Sequence, residues 1–203
     1  MLELVNFYLI PGLVLGAIYA LAAAGLSLAY GVLRFANFAH GELMTWGAYA
    51  ALVAVVALGI SAWAAVPIAI AATIPVALAA DRAFFGPLRR AQPAVLLISS
   101  FGVALMIRAV IYFVWGPTPQ GYARGFTPPL VLEGIRIQAR HLWILAGALA
   151  VALAVHLLLS RTRAGRAMRA MADDPDLARV TGVPVDGVIR LAWCVSAGLA
   201  AVA

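Results

Sequence analysis

Long apolar runs separated by short polar breaks set the pattern of this chain. A helix that crosses a bilayer needs about 20 mostly apolar residues. Six runs approach that length, at roughly 7–33, 43–60, 62–80, 94–115, 141–159 and 188–203. The third contains Pro67 and Pro75. The last ends in CVSAGLAAVA with no polar flank, so the pattern predicts a chain that is incomplete at its C-terminus. The predicted fold class is all-α: one polytopic transmembrane helical bundle occupying residues 1–203.

Composition strengthens this reading. Hydrophobic residues make up 65% of the chain, against roughly 45–50% in ordinary soluble domains. Charged residues make up 11%, where about 25% is usual, and the mean hydropathy is +1.02. These values exclude a disordered chain, a coiled coil and a disulfide-rich secreted domain. The single Cys194 cannot form an internal disulfide.

The net charge of +6 comes entirely from arginine, since the chain has no lysine. Those arginines lie between apolar runs, which favours a lipid bilayer over nucleic acid as the partner. Cytoplasmic loops of membrane proteins are enriched in Arg and Lys. Placing 160–187 inside puts Arg161, Arg163, Arg166, Arg169 and Arg179 there, together with Arg34, Arg82, Arg89 and Arg90. Only Arg124, Arg136 and Arg140 then lie outside, on a Pro- and Gly-rich loop at 116–140 that reads as irregular. The N-terminus faces out in this arrangement. It lacks the basic start of a cleaved signal peptide.

Within the first run, Gly12, Gly16, Ala20 and Ala24 form a stripe of small residues that lets helix backbones approach. It suits packing inside this chain or against a second membrane subunit. The segment LRFANFAHGELMTWGAYA carries Asn37, His40 and Glu42 between the first two runs, with Gly41 between the last two. Polar groups within the membrane mark pathways, and broken helices in transporters present helix ends to solute. The other reading is a short cytoplasmic turn at the headgroups. A zinc site is disfavoured, because His40 and Glu42 lack the H-E-x-x-H spacing. Ser99 and Ser100 either line a polar path or bond back to their own helix. Arg108 is expected to snorkel to the outer interface.

The segment 160–187 reads as two short helices. The first, near 164–172, carries Met168 and Met171 on one side. The second, 175–181, has Asp174 as N-cap, Pro175 at its first position and Gly182 as its stop. It is either a docking knob or a solvated loop that sets orientation. DDPD lacks the second acidic cluster that a metal site would need, so no metal is expected.

Here the residues match a known pattern. LRFANFAHGELMTWGAYAAL resembles the N-F-A-H-G-E segment of branched-chain amino acid ABC transporter permeases, in the H-type subunit. GRAMRAMADDPDLARVTGVPVDGVIRLAWCVSAGLAA resembles the coupling loop of ABC importers, with Gly182 at the position of its glycine. The resemblance implies a permease subunit that pairs with a second permease, two cytoplasmic ATPase subunits and an extracytoplasmic solute-binding protein. It places the chain in the bacterial inner (plasma) membrane, with ATP bound by the partners and no cofactor in this chain. Translocation-pathway candidates are Asn37, His40, Gly41, Glu42, Ser99 and Ser100. Coupling candidates within 160–187 are Arg169, Asp174, Pro175, Ala178 and Gly182. The chain has no P-loop, whose lysine it lacks. The alternative substrates are urea and short-chain amides. An intramembrane enzyme built on His40, Glu42 and the serines is disfavoured: no G-x-S-x-G and no paired aspartates within the runs are found.

Overall fold

In hydrocarbon the backbone must satisfy its own hydrogen bonds, and a helix does so within one segment. The computed structural model, which describes residues 4–118, 120–121, 130–132 and 135–203, makes each apolar run a helix. Among the described residues, six helices are long and apolar enough to cross a membrane: Val5–Leu33, His40–Leu58, Ala62–Leu88, Pro93–Trp115, Ala139–Arg161 and Val185–Val202. Helix α1, Ile10–Leu33, follows a π-helical turn at Val5–Leu9, and α2 is His40–Leu58. Helix α3, Ala62–Ala80, continues through a π-helical turn at Asp81–Phe85 into a last turn at Gly86–Leu88. Then come α4, Pro93–Trp115; α5, Ala139–Arg161; the two short helices α6, Arg163–Asp173, and α7, Pro175–Val180; and α8, Val185–Val202.

Two boundaries differ from the hydropathy pattern for one reason. Polar residues that are paired inside the bundle extend a helix beyond its apolar run. Thus α2 starts at His40 rather than near 43, and the third span continues past Asp81 to Leu88. Pro67 and Pro75 both stay inside α3, as neighbouring helices permit in a membrane.

The irregular reading of 116–140 is corrected over its second half. Strands β1, Leu130–Leu132, and β2, Ile135–Ile137, pair antiparallel with Leu130 opposite Ile137. The triplets LVL and IRI are β-prone and adjacent in sequence, which favours a hairpin. Arg124 lies outside the described residues.

Packing is inverted relative to a soluble protein. Large apolar side chains point outward: Phe113 is 91% exposed and Tyr8 75%. The interior holds small residues, with Ala29, Ala65, Ala77, Ala192 and Ala197 fully buried. Lipid supplies no hydrophobic drive between helices, so close backbone approach and van der Waals contact hold them together. Helix α8 is the most buried span and packs on α1, α2 and α3, whereas α5 is the least buried. At the end of the bundle near α6 and α7, Phe85 stacks on Trp193 at 5.4 Å and packs on Phe35 at 5.2 Å.

The small-residue stripe divides. Gly12 and Gly16 have open space beside them, so they do not pack against the described residues of this chain. Ala20 and Ala24 face an apolar cavity between α1 and α5. The buried face of α1 is instead Val14, Leu21, Gly25, Ala29 and Val32.

Candidate functional site

Helix α1 ends at Arg34, a left-handed residue with φ of 62°, whose N–H donates to the Tyr30 carbonyl. An L-residue pays roughly 1–2 kcal/mol for that conformation. It turns the chain back into the bundle rather than along its surface. By His40 the chain is deep: Nε2 donates 3.0 Å to the Ala22 carbonyl. At 1.5 Å per helical residue, Ala22 lies roughly 18 Å from the Arg34 end of α1. The other ring nitrogen gives the same depth. Nδ1 accepts from Ser196 at 3.4 Å, and Ser196 lies roughly 16 Å up α8 from Val185. The Ala22 carbonyl can only accept, so it places the imidazole proton on Nε2. Gly25 makes room for the ring; a Cβ there would stand 2.9 Å from His40 Cε1 and 3.1 Å from Leu199 Cβ.

The rising segment between Arg34 and His40 is held by other parts of the protein. Phe35 and Asn37 are buried. Asn37 Oδ1 accepts the Ala39 N–H at 3.1 Å, while Asn37 Nδ2 is buried with no partner among the described residues. Ser100 of α4 accepts the Phe38 N–H at 3.1 Å and donates to the Leu97 carbonyl at 2.7 Å. Ser100 is therefore a tether, placed against the chain that leads to His40. Ser99 is half-buried within α4. The polar break is thus packed inside the bundle. The short polar segment finds its partners on three helices: Ser100 of α4 accepts the Phe38 N–H, and the Ala22 carbonyl of α1 and Ser196 of α8 hold the His40 ring.

Glu42, in the first turn of α2, is buried and meets Arg108 of α4. Arg108 donates from Nε at 3.0 Å and also from Nη2, both to Oε1. Arg108, expected to snorkel to the outer interface, is met by a carboxylate on the neighbouring helix, which neutralises the guanidinium. Gly41 is exposed beside Glu42, and its carbonyl accepts from Thr45 at 3.2 Å. A cavity of about 430 Å³ opens above the pair, running between α2 and α4 as far as Pro117.

At the other end of the bundle α6 and α7 form a compact cap. Thr162 caps α6 by accepting from Gly165 at 3.0 Å. Met168 and Met171 are buried beneath it. Arg169 donates to the Leu159 carbonyl, and Arg34 donates to the Ala172 carbonyl and, at 3.1 Å, to that of Asp173. Two cations thus occupy C-terminal carbonyls of α5 and α6, where helix dipoles favour them. Asp174 Oδ1 accepts from Asp176 at 2.9 Å and Leu177 at 3.0 Å, and Pro175 opens α7. Gly182 has φ of +86°, and Val183 donates back to the Ala178 carbonyl. Ala178 is buried, while Leu177 and Val180 are 61% and 85% exposed. Arg89 bridges Asp81 at 2.5 Å and Asp186 at 3.5 Å, tying the third span to the start of α8.

Sequence reasoning did not assign four of these roles. Arg108 pairs with Glu42, Ser196 orients His40, Arg34 holds α6, and Arg89 links Asp81 to Asp186. One signal was available: Glu42 and Arg108 are opposite, isolated charges in two apolar runs, and each is costly without the other. Among the described residues no cluster of three or more metal-ligating side chains exists.

Six apolar helices enclosing polar groups at mid-depth define a multi-pass membrane protein. A family model described as the permease component of branched-chain amino acid transport systems matches residues 8–203. The chain belongs to that family. It is 31% identical over 211 residues to the high-affinity branched-chain amino acid transport system permease protein BraD of Pseudomonas aeruginosa, covering 96% of this chain and 68% of BraD. It is 30% identical over 207 residues to the protein LivH of Escherichia coli, of the same description, covering 95% and 67%. A probable branched-chain amino acid transport permease protein of Methanocaldococcus jannaschii is 26% identical over 193 residues, covering 90% and 60%. No solved structure matches the chain.

Proposed function

We propose that this chain is a permease subunit of an ABC importer that moves branched-chain amino acids across the bacterial inner (plasma) membrane. ATP is bound and hydrolysed by partner subunits. The chain sits beside a second permease subunit, rests on two cytoplasmic ATPase subunits and receives solute from an extracytoplasmic solute-binding protein. Its N-terminus and the 116–140 loop face outward, and α6 and α7 face the cytoplasm. The arginine distribution supports this orientation. The names of the relatives support the substrate class over urea or short-chain amides.

The observation that carries the reading is the start of α2 at His40, deep inside the bundle. A polar solute crossing hydrocarbon needs polar groups and a helix end at mid-depth. Asn37, His40, Gly41, Glu42, Ser99 and Ser100 are the pathway candidates. Asp174, Pro175, Ala178 and Gly182 shape α7, whose exposed Leu177 and Val180 suit a groove on an ATPase. Arg169 fastens α6 to α5. A push on α7 passes to α6 and from there to Arg34, the first residue of the segment that ends at His40.

Tagged chain, co-expressed with its partner subunits, should recover an ATPase on purification and support leucine uptake. Glu42→Ala should abolish most uptake at near-normal membrane abundance. Normal uptake by both Glu42→Ala and His40→Ala would remove this segment from the pathway. With Cys194 replaced by serine, a cysteine at position 121 should label from outside intact cells and one at position 176 should not. The reverse labelling would overturn the orientation and the coupling assignment together.

A further inference from the structure

The Glu42–Arg108 pair is only partly closed on itself. Glu42 is buried, but the Arg108 side chain is 55% exposed on a helix whose neighbouring surface is apolar. Arg108 spends Nε and Nη2 on one oxygen, Oε1. Glu42 Oε2 and Arg108 Nη1 have no partner among the described residues. The Glu42 and Arg108 side chains both line the cavity of about 430 Å³, a size within the roughly 300–1,000 Å³ of small-molecule sites. Its walls are Thr45 and Tyr49 from α2 and Ile111 and Tyr112 from α4. Trp115 stands behind Tyr49, with ring centroids 5.1 Å apart. The site therefore offers a carboxylate oxygen, a guanidinium N–H and an aromatic–aliphatic wall side by side.

We infer that this cavity binds the head group of a zwitterionic α-amino acid. The solute carboxylate takes the open edge of the Arg108 guanidinium, a geometry suited to carboxylates. Its ammonium takes Glu42 Oε2. The aliphatic side chain lies against Tyr49, Ile111 and Tyr112. A solute carrying both charges slots beside the protein pair so that every charge touches an opposite one, which offsets the cost of leaving water. A neutral solute such as urea or an amide has no charge to place on either group. This inference rests on the amino-acid importer reading above and deepens it to the head group.

The test uses the assembled complex in proteoliposomes, with leucine as the probe. Wild-type complex that takes up isobutyramide and not leucine would overturn the amino-acid reading itself, and this inference with it. Given wild-type leucine uptake, Arg108→Gln and Glu42→Gln should each lower uptake roughly tenfold or more, as loss of a charged hydrogen-bond partner implies. The exchanged double variant Glu42→Arg/Arg108→Glu restores an ion pair but reverses its polarity. It should co-purify with its partners like the wild type and still fail to transport. Uptake restored by the exchange would show the pair to be a structural tie and overturn the inference. A variant that keeps both charges provides an independent arm. Thr45→Cys, in a Cys194→Ser background, should react with a water-soluble thiol reagent, and leucine should slow that reaction. Isovalerate, which lacks the ammonium, and isoamylamine, which lacks the carboxylate, should not slow it. Equal protection by all three compounds, or by none, would overturn the head-group assignment.

Discussion

Residues 34–42 and 174–182 are polar breaks of equal length between helices, and they are built in opposite ways. The second is closed by its own residues. Asp174 caps α7, Pro175 starts it, and Gly182 ends it with a positive φ. Its apolar side chains Leu177 and Val180 point away from the bundle. The first break has only Asn37 for local closure, bonded to the Ala39 and His40 N–H groups. Its backbone and side chains bond to Ser100, Ala22 and Ser196, from three other helices, and its charge is met by Arg108. A segment in water can leave a backbone group to solvent, whereas one in hydrocarbon must find each group a protein partner. The inward break therefore depends on the whole bundle, and the outward one carries its own shape.

This contrast predicts a ranking of substitutions by their effect on the bundle. The largest effect is expected at Gly25→Val. A branched side chain there meets His40 and Leu199, and overpacking of this kind costs about 1–3 kcal/mol or more. The purified protein should lose thermal stability, and uptake should fall with it. A melting curve unchanged from wild type would mean that the ring is free to move aside. Ser100→Ala should come next. It leaves the Phe38 N–H without its partner in a part-buried site, a loss of about 1 kcal/mol. Detergent melting and leucine uptake should both report it.

Gly182→Val should destabilise the α7 turn by about 1–2 kcal/mol, since a β-branched residue is strained at positive φ. The bundle should melt as before, because a Cβ at position 182 would meet nothing within 4 Å, while recovery of the ATPase falls. Lowered melting with unimpaired ATPase recovery would break the comparison. Asp174→Ala should be mildest, at about 1 kcal/mol for a lost N-cap. It too should be read in ATPase recovery, with Gln120→Ala on the opposite loop as the inert control. An Asp174→Ala variant that melts as early as Ser100→Ala would show that α7 is also part of the bundle's core.

The sequence by itself determined the six apolar spans, the arginine asymmetry and the local shape of α7. Each of these is written in residues close together along the chain: hydropathy over about 20 positions, or a cap, a proline and a glycine within nine. The same proximity made the family resemblance visible, through the contiguous segments around His40 and Gly182. Only the tertiary structure decided that the chain re-enters the bundle after Arg34, that Ser100 is a tether, and that Arg108 answers Glu42 from 66 residues away. It also decided that Gly12 and Gly16 face outward while Gly25 and Gly47 receive neighbours. A polar residue in an apolar run announces a cost, but its partner lies on another helix. The distance along the chain carries no trace of which helix that is until the bundle has packed.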